Sequence, residues 1–427
     1  MVLTAGLFLF IGLLVLLAVR VPIAFAMGAI SLLTILLFIG PKQIPQVVNI
    51  IFSEGMSGTL LVAPMFILMA EILVVAGVAQ DLFRTASKWF GRLPGGLAIT
   101  SIASSAVFAS VTGSSAATVA TIGSMSVPEM IKRGYSVKLA SGAVVSGGTL
   151  GILIPPSIAM IIYGIATETS IIDLFMAGII PGIIVTILLG IAVYIYANIY
   201  PDAAPRGEKH SWKERMSALK FVLPVIVLVV IVLGTMYSGM ATITESAGVG
   251  ATGALLIALA MRRLTWEKMK LAFIRTAYTS CMILFLVFGG TLFSFVVGYL
   301  NIPEALTDWI QGISDNGWII MICINIVLII LGCFLDPLSI IVLTMPLLFP
   351  IVHSFGFDPI WFGIIIVINA EIGMITPPVG INLFVLKGSV PELNLMDIIK
   401  GSLPFVGVLL FSMVLFSIFP ELVLFFK

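Results

Sequence analysis

The sequence predicts an all-α polytopic membrane protein built from two inverted repeats. Of its 427 residues, 60% are hydrophobic and 10% are charged, whereas about 25% of a typical soluble domain is charged. The hydrophobic residues form continuous runs of the length that crosses a bilayer as helix, about 17–25 residues. A transmembrane β-barrel shows alternating strands instead. The net charge of +1 argues against a nucleic-acid partner, and the lipid bilayer is the expected environment.

The repeat is visible at an offset of 222 residues. The run from Gly151 to Pro156 aligns with the run from Gly373 to Pro378, and both end in a Pro-Pro pair. At the same offset Pro128 meets Pro350. Agreement at one spacing over such a distance indicates duplication. The predicted parts are a first unit at 1–200, a cytoplasmic linker at 201–220 and a second unit at 221–427.

A re-entrant hairpin is predicted at residues 97–130 of the first unit. Basic clusters flank this stretch on both sides, Arg84, Lys88 and Arg92 before it and Lys132, Arg133 and Lys138 after it. Basic residues mark cytoplasmic connections, so both ends lie on that side. Two full crossings need about 40 residues, and 34 are available. The chain should therefore turn back inside the protein, near Thr112 to Ser115.

The second unit has the equivalent hairpin at residues 317–352, but its flanks are acidic. They carry Glu304, Asp308, Asp315 and Asp358 and no Lys or Arg. This hairpin should therefore open to the opposite side of the membrane. Each unit contains about five spans and one hairpin, and an odd number of spans inverts the second unit. Both termini are then periplasmic. Inverted repeats with interrupted helices are typical of secondary transporters.

Each unit also contains a predicted broken helix, at about 139–167 and about 359–388. The Pro-Pro pairs fall inside these stretches, and proline removes a backbone donor and clashes with the preceding turn. The unwound carbonyls can bind a hard cation such as Na⁺. The N-terminus of the resumed helix carries partial positive charge that suits a substrate carboxylate.

The hairpin tips complete the candidate site. The first tip offers hydroxyl groups, whereas the second places Asp336 in the middle of an apolar stretch, where a charge is costly unless it is paired or hydrated. The Asp336 carboxylate can ligate a cation, or it can cap the following helix arm, and the sequence does not separate these roles. Two further acids of the apolar runs, Glu71 and Glu245, are predicted to lie away from the breaks and to make structural hydrogen bonds.

The sequence therefore predicts two related Na⁺ sites around one substrate site. The predicted substrate-binding residues are Ser114, Ser115, Thr118, Ser157, Asp336 and Asn382. The predicted Na⁺ ligands are Thr112, Gly113, Ser115, Thr149, Gly151, Pro155, Asp336, Pro337, Gly373, Thr376 and Pro378. No Lys or Arg belongs to this set, so helix ends, hydroxyl groups and bound Na⁺ should hold an anionic substrate.

Motifs of other classes are missing from the sequence. It has no phosphate-binding G-x-x-x-x-G-K-[ST] loop, no H-E-x-x-H pair and no G-x-S-x-G elbow, so neither ATP hydrolysis nor another enzymatic activity is expected. An ion gradient should supply the energy. The competing class is an ion channel or a non-transporting membrane scaffold, which predicts a continuous pore and no alternating-access repeat.

The motifs together resemble the large membrane (M) subunit of the TRAP transporters. The resemblance covers essentially the whole chain and rests on Gly113–Thr118, Lys132–Tyr135, Ile154–Ile158, Phe334–Pro337 and Ile375–Phe384. It implies a tripartite, Na⁺-coupled importer of organic acids in the bacterial inner membrane, working by an elevator mechanism. A periplasmic substrate-binding (P) protein delivers the substrate, and a small four-helix membrane (Q) subunit packs against the large one.

Two details refine this expectation. The chain starts directly at its first span, so the Q subunit is expected to be a separate chain. The run Gly147–Gly151 resembles the sialic-acid branch, so sialic acid (N-acetylneuraminate) is the expected substrate, with a C4-dicarboxylate or another carboxylate as the alternative. Glu71 departs from the family pattern, because a small residue is expected there.

Overall fold

A computed structural model of the chain describes residues 2–312 and 314–426. The described residues of the first half form helices and short turns, without a strand. The helices are α1 (Val2–Ala18), α2 (Ile23–Thr34), α3 (Ile44–Gly55), α4 (Val62–Val75), α5 (Val78–Phe90), α6 (Gly96–Thr112), α7 (Ser115–Lys132), α8 (Val137–Thr149), α9 (Ile158–Thr167) and α10 (Ile171–Ile199).

The second half is also helical throughout its described ranges. Its helices are α11 (Trp212–Tyr237), α12 (Ile243–Ala260), α13 (Trp266–Tyr299), α14 (Ile302–Gln311), α15 (Gly317–Gly332), α16 (Pro337–Ser354), α17 (Pro359–Met374), α18 (Ile381–Ser389) and α19 (Leu395–Ile418). This confirms the all-α fold class.

The 222-residue offset of the sequence recurs in the helix boundaries. Helix α16 begins and ends 222 residues after α7, and the starts of α8 and α17 differ by the same number. The starts of α3 and α13 and the ends of α9 and α18 also share it. One clear departure is that α3 and α4 are separated by a short 3-10 turn, whereas α13 is continuous. The two halves thus contain equivalent elements in the same order.

The helix boundaries differ from the predicted linker at one point. Helix α11 begins at Trp212, inside the stretch assigned to the linker, because Ser211 and Glu214 form a capping box. The Ser211 hydroxyl accepts from the Glu214 backbone N–H at 3.3 Å, and the Glu214 carboxylate accepts from the Ser211 backbone N–H at 2.7 Å. This reciprocal pair satisfies two donors at the helix start.

Many of these helices are apolar enough for a bilayer. Within the described residues, seven helical segments are long and apolar enough to cross a membrane, and further apolar helices of 10–17 residues lie between them. The short ones include the first arm of each hairpin and pieces of both broken helices. Such pieces are expected where a span is interrupted or re-entrant. The count of about five spans per unit and the periplasmic termini stay predictions.

The helices pack in two groups. In the first, which we call the flanking group, α2, α4, α12 and α13 pack on one another. In the second, the central body, the hairpins α6–α7 and α15–α16 pack with the broken helices α8–α9 and α17–α18 and with α10 and α19. The groups meet where α4 contacts α6 and where α13 contacts α16. Both hairpins therefore lie against the flanking group.

The two halves of the central body touch backbone to backbone. A Cβ on Gly142 of α8 would lie 2.1 Å from the Gly401 carbonyl oxygen of α19, and a Cβ on Gly401 would lie 2.1 Å from the Lys138 carbonyl oxygen. No side chain fits at either position. This close approach joins the first broken helix to α19.

Candidate functional site

The first hairpin turns at Gly113 and Ser114, between the helices α6 and α7. Helix α6 ends at Thr112, Gly113 adopts the left-handed region with φ 56°, and Ser114 caps α7. The Ser114 hydroxyl accepts from the Ala117 backbone N–H at 3.4 Å. Beside the turn, the Thr112 and Thr118 hydroxyl oxygens lie 3.0 Å apart. Hydroxyl groups from both arms thus meet at this tip.

The second hairpin tip is organised by Asp336. Its Oδ1 accepts from the backbone N–H groups of Leu338 and Ser339, both at 3.1 Å, and its Oδ2 accepts from the Ser339 hydroxyl. Pro337 occupies the first turn of α16, where its missing N–H leaves no helical bond unmade. The capping role that the sequence left open is therefore present. Cation binding by the same carboxylate stays a prediction.

The first broken helix is interrupted at its Pro-Pro pair. Between α8 and α9 the chain forms one 3-10 turn at Leu150–Ile152 and then an irregular segment. Ser157 closes the break, because its hydroxyl donates to the Ile152 carbonyl at 2.6 Å and accepts from the Met160 backbone N–H at 3.4 Å. The Pro155–Pro156 peptide bond is cis.

The second broken helix has a corresponding interruption between α17 and α18. The Thr376 hydroxyl donates to the Ile372 carbonyl at 2.6 Å, and Gly380 adopts the left-handed region with φ 59°. The Gly380 backbone N–H donates to the Cys333 carbonyl of the hairpin at 3.0 Å. The Pro377–Pro378 peptide bond is cis. A backbone hydrogen bond thus ties this break to the second hairpin.

Glycines let each break approach a hairpin without an intervening side chain. A Cβ on Gly151 would lie 2.6 Å from the Ser114 carbonyl oxygen, and a Cβ on Gly373 would lie 2.4 Å from the Gly332 Cα and carbonyl carbon. Both clashes are with backbone, which cannot rotate away. The sequence analysis placed these two glycines in the breaks. The close backbone contacts explain why neither position can carry a side chain.

One side-chain hydrogen bond links the two halves at the site. Asn382, at the start of α18, donates from Nδ2 to the Ser115 Oγ at 2.7 Å. Both side chains are buried, and the remaining Asn382 Oδ1 has no hydrogen-bond partner among the described residues. A buried acceptor without a partner suits a bound donor or a cation. Predicted site residues from opposite repeats are therefore in direct contact.

Both hairpin tips line a single cavity of about 250 Å³. It lies between the tips and helices α4 and α13 of the flanking group. Six of the predicted site residues line it, and these are Thr112, Gly113, Ser114, Ser115, Asp336 and Pro337. The remaining predicted residues are not among the lining residues, and these are Thr118, Thr149, Gly151, Pro155, Ser157, Gly373, Thr376, Pro378 and Asn382. Thr118 and Asn382 bond residues that line the cavity.

The expectation that Glu71 lies away from this region is wrong. Glu71, on α4, lines the same cavity as the tips, and the Arg275 guanidinium of α13 lies 3.7 Å from its carboxylate. The sequence could not show this position of Glu71, because α4 is distant in sequence from both breaks. Only the packing of the helices brings α4 next to the cavity. Glu245 instead sits in the first turn of α12, where it accepts from the Thr242 backbone N–H at 2.8 Å.

Paired hairpins and paired broken helices that meet around one cavity define a membrane protein of the secondary-transporter class. A family model described as the tripartite ATP-independent periplasmic transporter, DctM component, matches residues 10–422. The chain therefore belongs to the DctM family of TRAP transporter large permeases.

Two relatives and one solved structure show the extent of the similarity. The chain is 37% identical over 397 residues to the C4-dicarboxylate TRAP transporter large permease protein DctM of Pseudomonas aeruginosa, covering 92% of each chain. It is 32% identical over 398 residues to the ectoine TRAP transporter large permease protein TeaC of Halomonas elongata, covering 92% of this chain and 91% of the relative. The YdaH transporter of Alcanivorax borkumensis shares the fold, with TM-score 0.66, 15% identity and 98% of each chain covered.

Family membership confirms the predicted class of protein, its membrane location and its partner proteins. The chain is a multi-pass transporter permease of the inner membrane and not an enzyme. A large permease of a tripartite system works with a periplasmic binding protein and a small membrane subunit.

Proposed function

We propose that this permease imports an organic acid by coupling its movement to the entry of Na⁺. The observation that carries the proposal is the convergence of both hairpin tips on one cavity, with a direct bond between Ser115 and Asn382 of opposite repeats. A site assembled from both repeats can hold Na⁺ and the acid next to each other, as coupling requires. The acid is released by the periplasmic binding protein and enters this cavity.

The residues around the cavity suit Na⁺. Hard cations prefer oxygen ligands, and the tips offer the Thr112 and Ser115 hydroxyls, the Asp336 carboxylate and backbone carbonyls at interrupted helix ends. Asn382 adds a buried carbonyl oxygen without a described partner. Na⁺ bound there would supply positive charge next to the substrate carboxylate. The predicted Na⁺ ligands in the two broken helices would contribute backbone carbonyls.

Two carboxylates are the candidates for the substrate. N-Acetylneuraminate is proposed from the likeness of Gly147–Gly151 to the sialic-acid branch. A C4-dicarboxylate is favoured by the name of the Pseudomonas aeruginosa relative, which is 37% identical. The Halomonas elongata relative is named for ectoine, so identity at this level spans different organic acids, and the substrate has to be measured.

We also propose that the central body moves as one piece against the flanking group. The two halves of the body meet at backbone contacts such as Gly142 with Gly401, which resist sliding because close-packed backbones cannot adapt. The hairpins contact the flanking group through α4 and α13, next to the cavity. Movement at that boundary would carry the cavity across the membrane, which is an elevator mechanism.

Uptake into proteoliposomes tests the proposed function. The permease is reconstituted with its small membrane subunit, and binding protein loaded with radiolabelled succinate or N-acetylneuraminate is added outside. Uptake is expected with an inward Na⁺ gradient, and little with an equal K⁺ gradient. Liposomes without the small subunit or without the binding protein are expected to show background uptake.

Three results would contradict the proposal. Equal uptake in Na⁺ and K⁺ gradients would show that transport is not coupled to Na⁺. Uptake of free acid by the permease alone would show that the partner proteins are not required. A conductance that persists without any substrate would favour the ion-channel class instead.

A further inference from the structure

A half-buried acid and a half-exposed base face each other at the edge of the substrate cavity. The Glu71 carboxylate lines the cavity, and the Arg275 Nη1 lies 3.7 Å from its Oε2. This separation permits ionic attraction but is too long for a good hydrogen bond. Side-chain exposure is 20% for Glu71 and 50% for Arg275. Within the described residues, the Glu71 Oε2 has no hydrogen-bond partner.

The position of Arg275 points it toward the same cavity. It precedes Thr279 by one helical turn on α13, and Thr279 lines the cavity. Residues four apart share one face of a helix. The guanidinium therefore stands at the rim of the cavity, next to Glu71, and keeps donors that Glu71 does not use.

The pair breaks the symmetry of the repeat. At the 222-residue offset, Glu71 corresponds to Phe293, and Arg275 corresponds to Ser53. The second half therefore has no copy of this ion pair, although the helices that carry it are equivalent. A purely structural feature inherited from the repeat would be expected twice. The Glu71–Arg275 pair is present once, so it gives one side of the cavity a property that the other side lacks.

The charges in the cavity also require a cation. Two of its lining residues, Glu71 and Asp336, are acids, and the described lining includes no Lys or Arg. A substrate carboxylate entering this space would add a further negative charge at low dielectric, which is costly without a positive partner. Na⁺ offsets part of this charge. Arg275 is a basic side chain next to the cavity, because it pairs with the lining residue Glu71.

We propose that Arg275 is a specificity-determining residue that receives the carboxylate of the transported acid, and that Glu71 holds its guanidinium at the cavity rim when no acid is bound. This inference rests on the proposed function and names the group that recognises its substrate class. Arginine suits the role, because its planar fork of N–H donors binds a carboxylate through two parallel hydrogen bonds. Binding exchanges the long contact with Glu71 for a short contact with the substrate.

Direct binding separates this role from a structural one. The permease is purified with its small membrane subunit, and succinate, N-acetylneuraminate and a panel of other carboxylic acids are titrated by calorimetry in Na⁺ buffer. Each acid is paired with its neutral amide. Arg275→Gln is expected to weaken carboxylate binding by about 10- to 100-fold, as for the loss of a hydrogen bond between charged groups. It should leave binding of the amide unchanged.

Three companion variants sharpen the test. Arg275→Lys keeps the charge without the fork and is expected to show a smaller loss. Glu71→Gln releases the guanidinium and should strengthen carboxylate binding several-fold. Lys270→Gln is the matched control, because it removes an exposed positive charge from the same helix, and it should bind like the unmodified complex. Thermal unfolding and monodispersity check that each variant is folded.

The outcomes are distinct. Unchanged carboxylate binding in Arg275→Gln, or equal weakening of acid and amide, would overturn the proposal and leave Arg275 as a packing residue. If Arg275→Gln does not assemble, Glu71→Gln decides, and unchanged or weaker binding there would overturn it. Binding of an acid without Na⁺ dependence would contradict the proposed function. The variants would still test whether Arg275 binds the carboxylate. If no carboxylate bound at all, both proposals would fail.

Discussion

At the scale of single residues, Asp336 combines two roles that substitution can separate. Its carboxylate caps α16 and also lines the cavity. Asp336→Ala removes both roles and should abolish Na⁺-driven uptake, whereas Asp336→Asn can still cap the helix. We expect Asp336→Asn to reduce uptake strongly while its thermal stability stays near that of the unmodified protein, because the negative charge is what Na⁺ requires. Near-normal uptake by Asp336→Asn would show that Asp336 acts only as a helix cap.

Ser115 and Asn382 form a second test at this scale. Ser115→Ala should raise the Na⁺ concentration that gives half-maximal uptake, because it removes one neutral ligand and leaves the site in place. Asn382→Ala removes the other end of the 2.7 Å bond. The two effects should be less than additive, with a coupling of about 0.5–1.5 kcal/mol, the range for a hydrogen bond. Additive effects on uptake would show that the bond does not matter for transport.

At the scale of elements, the contacts between broken helices and hairpins make a prediction about glycine. Gly151→Ala and Gly373→Ala place a Cβ within 2.6 Å and 2.4 Å of backbone atoms of the hairpins. Each should destabilise the protein by about 1–3 kcal/mol, as overpacking does, and lower the midpoint of thermal unfolding in detergent. Gly190→Ala on α10 is the control, because nothing lies within 4 Å of its Cβ. An unchanged midpoint in both site variants would contradict these close contacts.

The elements show where sequence reasoning succeeds and where it stops. Prolines and small residues act locally, so the breaks near Pro155 and Pro377 and the turn at Gly113 could be predicted from their neighbours alone. Contacts between distant helices could not. The bond from Asn382 to Ser115 and the place of Glu71 in the cavity depend on how α18, α7 and α4 pack, and hydropathy carries no information about partners across the fold.

At the scale of the whole molecule, the orientation in the membrane remains a prediction from the basic residues. Single cysteines replacing Lys88 and Lys138 should both react with an impermeant reagent from the cytoplasmic side, because each flanks the first hairpin. Glu168→Cys, in an acidic connection, should react from the other side. The background protein would have Cys281, Cys323 and Cys333 replaced. Labelling of positions 88 and 138 from opposite sides would mean that the first hairpin crosses the membrane.

The meeting of Gly142 with Gly401 also bears on how the chain is made. Helix α19 leaves the ribosome well after α8, because Gly401 follows Gly142 by 259 residues. Until α19 arrives, the Gly142 face of α8 lacks the backbone that fills it in the finished protein. Assembly of this contact therefore has to wait for α19, and contacts so far apart in sequence form slowly. The central body of a nascent permease is therefore incomplete at this contact until α19 docks.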